Sequence, residues 1–271
     1  IYMAGKHKIV SKEHLLPFIL VTALFFMWAL PNNLNDILIP QFMKSFELSR
    51  LQAGLVQSAF YMGYFLLAMP AAFIMDRYNY KTGLIIGLLL FSAGCFLFLP
   101  AASSGKYAFF LVALFVIASG LALLETGSNS FIAVLGDPAT SEHRLNFSQS
   151  FNPLGSMTGV LVGTVFIFSG TELSVNQIDA MKQAGTYQAY LHDEIMRVGP
   201  PYLVIGSILL AWALLIWRTR FPEEKKLTDK HGNSKGKLSA LLQYPHFLRG
   251  VLAQFFYVGA QVGTWSFMIQ Y

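Results

Sequence analysis

Seven apolar stretches, each near the length a helix needs to cross a bilayer, constrain this chain more than any other feature. They are Leu15–Phe42, Leu51–Met75, Thr82–Pro100, Tyr107–Leu135, Leu145–Ser169, Pro201–Trp217 and Gly250–Tyr271. A hydrocarbon core about 30 Å thick takes roughly 20 helical residues. No water is present there to satisfy backbone N–H and C=O groups, so only helices and closed barrels can span it. Barrel strands alternate apolar and polar residues, whereas these runs are continuous. The expectation is an all-α, polytopic membrane protein with six complete transmembrane helices and part of a seventh. Composition agrees, with 55% hydrophobic and 12% charged residues, about half the charge of a soluble domain.

The basic residues predict which way the chain threads. With a cytoplasmic N-terminus, 14 of the 19 Lys and Arg residues fall on the inside and 5 on the outside. The net charge of +5 is therefore a topology signal, and no nucleic-acid partner is expected. The resulting division is a cytoplasmic tail (1–14), a six-helix bundle (15–217), a cytoplasmic linker (218–249) and the start of a second bundle (250–271). The chain starts without Met and stops at Tyr271 inside an apolar run, so a fragment of a longer protein is expected. The outer loop Thr171–Gly199 carries Ile178, Met181, Tyr187, Tyr190 and Ile195 at roughly helical spacing; it reads as a solvated cover, with an interfacial helix the alternative. The lone Cys95 makes no intrachain disulfide, and no metal or cofactor site is expected.

Within the spans, two acids stand out: Asp36 in the first and Glu125 in the fourth. The other twelve acids fall in tails or loops, and no Lys, Arg or His falls inside a span. A carboxylate at that depth costs about 2.5–3.5 kcal/mol on insertion scales and marks a functional site by default. Asn32 and Asn33 precede Asp36 by four and three residues, so they share its face of a helix. Asn129 follows Glu125 by one turn. An internal echo pairs the spans: Ala23-Leu24-Phe25-Phe26 precedes Asp36 as Ala113-Leu114-Phe115-Val116 precedes Glu125. Burial without a cation disfavours a charged carboxyl, which suits an acid that takes up and releases a proton.

Polar groups recur on the other spans. The second has Gln57, Tyr61 and Tyr64, the fifth Gln149 and Asn152, the seventh Gln254, Tyr257, Gln261 and Trp265. Amides donate and accept, and aromatic rings offer flat apolar faces with a polar handle. Together they suit a neutral, polyhydroxylated solute such as a sugar. Gly155, Gly159 and Gly163 form a doubled GxxxG that permits close helix packing. Pro31, Pro40, Pro70 and Pro153 can kink or break spans. The chain has no Walker loop, GxSxG elbow, HExxH or Cys/His zinc spacing. An embedded enzyme would need a nucleophile–base pair at membrane depth, so none is expected; a sugar sensor that binds without transport is the other reading.

The run Phe26-Met27-Trp28-Ala29-Leu30-Pro31-Asn32-Asn33-Leu34-Asn35-Asp36-Ile37-Leu38-Ile39-Pro40-Gln41-Phe42 resembles the first span of the fucose/galactose/hexose–proton symporters of the major facilitator superfamily. Gln52–Tyr61, Leu124-Glu125-Thr126, Arg144-Leu145-Asn146 and Tyr257–Gln261 with Trp265 continue the likeness. In place of the superfamily's Gly-x-x-x-Asp-Arg-x-Gly-Arg-Lys loop stand Ala72, Asp76, Arg77, Asn79, Tyr80 and Lys81. The resemblance implies a twelve-helix fold in a bacterial cytoplasmic membrane. It implies monomeric, proton-driven sugar uptake by alternating access, with L-fucose the first expected substrate and glucose or galactose the alternatives. Asp36 and Glu125 take the family's proton-coupling and sugar-contacting positions, and Gln149 and Asn152 its fifth-span amides.

Overall fold

The computed structural model describes residues 9–170, 173–222 and 241–268, with backbone alone for 265–268. The described residues are helical throughout, with no strand among them. The first four helices are long: α1 (Leu15–Ser45), α2 (Arg50–Arg77), α3 (Tyr80–Ser104) and α4 (Tyr107–Val134). A 3₁₀ turn (Pro138–Thr140) leads into α5 (Ser141–Gln149) and α6 (Asn152–Val162), which ends in a π-helical turn (Gly163–Ile167). Then come α7 (Val175–Gln183), α8 (Tyr187–Met196), α9 (Gly199–Arg218) and α10 (Pro245–Met268). Among the described residues, six segments are long and apolar enough to cross a membrane: α1 to α4, residues 138–167, and residues 187–218. The chain divides into two compact units, residues 1–222 and 223–271, the second contributing α10. The tail before residue 9, residues 223–240 of the linker, the side chain of Trp265 and the end at Tyr271 lie outside the described residues.

Local sequence signals set the helix ends. Ser49 caps α2 by accepting from the Gln52 N–H, while the Gln52 side chain accepts from the Ser49 N–H, a reciprocal capping box. Asn79 caps α3 through the Thr82 N–H at 2.7 Å. Gly105 ends α3 at φ +60°, which an L side chain rarely adopts.

Inside the first unit, α4 is the central post. It packs against α3 and α2 along most of its length and also meets α1 and α5; α9 packs on α3, and α6 on α1. Small residues let the backbones approach, as membrane helices require when lipid is as apolar as the core. A Cβ on Gly120 would lie 2.5 Å from the Phe91 nitrogen and 2.6 Å from the Gly87 carbonyl oxygen. The doubled GxxxG of α6 does the same against α1: Gly155 rests on Phe26 and Ala29, Gly159 on Leu30 and Asn33, Gly163 on Ile37. Phe98 of α3 stacks on Tyr202 of α9 with ring centroids 3.7 Å apart.

The structure departs from the sequence reading in three places. The fifth span starts earlier, at Ser141, and is broken between Gln149 and Asn152. Pro153 supplies the cause, since it has no N–H for the Gln149 carbonyl. Next, the segment read as a solvated cover is two helices. Among α7's residues none is buried, but α8 buries Tyr187, Leu191, Glu194 and Ile195 and runs almost directly into α9. Finally, Asp36 and Glu125 are not the only charged groups on long apolar elements. Lys44 lies in the last turn of α1, paired with the buried Glu194 of α8 at 3.2 Å. The Gln41 amide donates to both the main-chain and side-chain oxygens of Glu194 at 3.0 Å, so that carboxylate is well satisfied.

At the other end of the bundle, Arg144 is fully buried at the start of α5. Its guanidinium donates to the carbonyls of Ile132, Ala133 and Asp137 at 3.0–3.1 Å, to Thr140 Oγ1 at 2.6 Å and to the Ile9 carbonyl at 3.4 Å. The α4 C-terminus leaves carbonyls without intrahelical donors, and a cation there also meets the negative end of the helix dipole. This knot fixes α5, and hence Gln149, against α4.

Candidate functional site

Each of the two span acids is half-buried and is met by an uncharged donor from α2. Gln57 Nε2 donates to Asp36 Oδ1 at 2.7 Å. The same amide accepts, at Oε1, from Asn35 Nδ2 at 2.8 Å. Two turns further along α2, the Tyr64 hydroxyl donates to Glu125 Oε1 at 3.0 Å. Asn32 of α1 also reaches the Tyr64 hydroxyl. Between these donors, Tyr61 lies within electrostatic range of both acids, its ring 6.4 Å from that of Tyr64. Residues 57, 61 and 64 recur at four and three, which puts them on one face of α2.

The site continues onto α4 and α5. Asn129 Nδ2 donates to the Glu125 carbonyl at 2.9 Å, and Gln149 Nε2 donates to Asn129 Oδ1 at 3.3 Å. Asn152 is half-buried at the first turn of α6, just past the break. Four helices thus bring Asn32, Asp36, Gln57, Tyr61, Glu125, Asn129 and Gln149 into one polar set. Asn33 does not join it: its amide donates to the Ala29 carbonyl at 2.8 Å, on the α6 side of α1. Tyr257 and Gln261 lie on α10, in the second unit.

Local chemistry in α1 keeps the Asp36 region polar. Pro40 has no N–H for the Asp36 carbonyl, and Pro31 none for that of Met27. Asn35 is 2% exposed, and its Oδ1 is buried without a hydrogen-bond partner. Among the described residues neither Asp36 nor Glu125 has a cationic partner. No group of three or more His, Cys, Asp or Glu that could hold a metal occurs among them.

Two pairings escaped the sequence reading of the site. Asn35 is the donor behind Gln57, and Tyr64, rather than its neighbour Tyr61, bonds Glu125. The signal for Tyr64 was present in its helical spacing from Gln57. Asn35 was hidden because a residue adjacent to Asp36 points elsewhere on an ideal helix; it bonds across to α2 instead.

This chain belongs to the Major Facilitator Superfamily, whose profile matches residues 18–271. It is 43% identical to the L-fucose-proton symporter of Escherichia coli K12 over 96% of its length, covering 60% of that protein. It is 38% identical to the L-fucose-proton symporter of Haemophilus influenzae, covering 63% of it. A glucose/galactose transporter of Brucella abortus is 36% identical over 93% of this chain and 57% of its own. A crystal structure of the E. coli fucose:proton symporter matches with a TM-score of 0.77 at 42% identity, over 96% of this chain and 63% of that one. The chain therefore spans less than two thirds of the length of these relatives.

Proposed function

We propose that this chain carries the acid-bearing part of a proton-coupled sugar symporter, with L-fucose as substrate, working by alternating access. One observation supports this above the others. Two acids on membrane-length helices are held by an amide and a phenol, with no cation beside either among the described residues. A carboxyl so placed can lose and regain its proton without leaving an orphaned positive charge. The amides of Asn32, Asn129, Gln149 and Asn152 and the ring of Tyr61 complete the sugar-contacting set. The relatives named above as L-fucose-proton symporters support the substrate.

The bond between Gln57 and Asp36 supplies a route for the proton to be felt. Ionised Asp36 accepts from the Gln57 amide. Once protonated at Oδ1, it becomes a donor and needs an acceptor. Turning the Gln57 amide over presents Oε1 to that proton and Nε2 to Asn35, whose unpartnered Oδ1 accepts it once the Asn35 amide turns over as well. The same pair of side chains therefore serves both charge states. The N-terminus is cytoplasmic, the membrane is the bacterial inner membrane, and the working unit is the monomer.

The test uses the intact protein in proteoliposomes. Adding L-fucose should alkalinise the outer medium, with D-galactose and D-glucose giving smaller responses. Asp36→Asn should exchange sugar in counterflow yet fail to accumulate it; accumulation at the wild-type level in a pH gradient would overturn the assignment. Glu125→Gln should bind sugar with no pH dependence, and an unchanged profile would remove Glu125 from the proton pathway. A stronger response to D-glucose or D-galactose would favour the second reading, a hexose carrier like the Brucella relative.

A further inference from the structure

We propose that Tyr64 is the positioning residue that sets the working pH of Glu125 and ties that acid to α1 through Asn32. The inference rests on the proton role proposed for Glu125 and deepens it.

From α2, Tyr64 donates its hydroxyl to Glu125 Oε1 at 3.0 Å. Tyr61 on the same face lies within electrostatic range of Glu125 and also of Asp36, the other acid, on α1. From α1, Asn32 meets Tyr64 rather than the acid itself. On α4, Asn129 is bonded to the Glu125 main chain, and from α5, Gln149 is bonded to Asn129. The charged side chain that α3 contributes, Lys81, is held on the carbonyls of Trp217 and Thr219 at 2.8–2.9 Å. The phenol is therefore the group placed to stabilise the Glu125 carboxylate directly.

That placement gives Tyr64 a role that differs with charge state. A phenol donating to a carboxylate makes a charge-assisted hydrogen bond, about twice as strong as a neutral one. When Glu125 takes a proton, that bond drops to neutral strength, and the phenol can turn its hydroxyl toward the Asn32 amide oxygen. The same hydroxyl thus serves the acid on α4 in one state and the amide on α1 in the other. Gln57 gives Asp36 a separate donor, so each acid has its own and the two can titrate as distinct sites.

The experiment measures the pH dependence of L-fucose binding to the intact protein. Tyr64→Phe keeps the ring and deletes the donor. Its midpoint should move up by about one pH unit, the size expected for losing a hydrogen bond to a charged group. Difluorotyrosine at position 64, a stronger donor of nearly the same shape, should move the midpoint down. In a Glu125→Gln background, Tyr64→Phe should move nothing. If Glu125→Gln flattens the profile but Tyr64→Phe leaves the midpoint in place, the role of Tyr64 is wrong and that of Glu125 stands. If Glu125→Gln leaves the profile intact, the proton role fails and this inference with it. A Tyr64→Phe shift that persists without Glu125 would place the effect elsewhere and overturn the proposal. Should Tyr64→Phe not fold, the fluorinated residue decides alone: no downward shift overturns it.

Discussion

Replacing Arg144 with Lys keeps the charge and removes the fork. The guanidinium meets five acceptors, the carbonyls of Ile9, Ile132, Ala133 and Asp137 and the Thr140 hydroxyl. A guanidinium carries five N–H donors in a fixed plane, whereas an ammonium carries three from one nitrogen. Two or more buried acceptors must then lose their donor, at about 1–3 kcal/mol each. The expected loss is about 2–6 kcal/mol, a large share of the usual 5–15 kcal/mol. For a bundle of this size, 1 kcal/mol corresponds to roughly 2–4 °C. Arg144→Lys should therefore lower the unfolding midpoint in detergent, followed by fluorescence-detected gel filtration, by at least about 4 °C. Arg144→Met, which leaves all five acceptors bare, should lower it further. An Arg144→Lys protein that unfolds within about 2 °C of the parent would refute the account of Arg144 as the fastener of α4 to α5.

Two further outcomes follow from the packing. Gly159→Val sets a branched side chain where even a Cβ would lie 2.6 Å from the Leu30 carbonyl. It should cost about 1–3 kcal/mol of overpacking and, by shifting α1 at Asn33, slow counterflow; parental counterflow and unfolding would contradict the α1–α6 contact. Glu194→Leu removes the carboxylate that meets Lys44 at 3.2 Å and the Gln41 amide at 3.0 Å, at a cost of about 2 kcal/mol, between a surface and a fully buried pair. Adding Lys44→Met should recover part of it, and strictly additive effects on the unfolding midpoint would argue that the pair is not coupled.

The spans were legible in the sequence because lipid imposes one rule, continuous apolar text, and α1 to α4 obey it. Where charge enters an apolar helix the rule misleads. Lys44 reads as an outer loop residue, yet Glu194, some 150 positions away in sequence, and the Ser169 hydroxyl pair with it. Arg144 entered the sequence reading through topology and the family likeness, because nothing in its neighbours says that α4 will end with bare carbonyls around it. Pro153 announced a break in the fifth span, although not that Gln149 and Asn152 would lie on either side of it. For the candidate site, the two acids and the α2 face were readable from residue type and helical spacing. The pairing of donors with acids was not, because it depends on how α2 is set against α1 and α4.

That setting makes the rotational phase of α2 a shared dependency. Gln57 and Tyr64 serve different acids on different helices, but both are fixed to one rod. A single-residue insertion between Ser49 and Gln57 would swing them together by about 100° and detach both carboxyls in one step. Substitutions at exposed α2 positions such as Phe65 and Phe73 leave the phase alone. Along this helix, a change in length is more disruptive than a change in lettering.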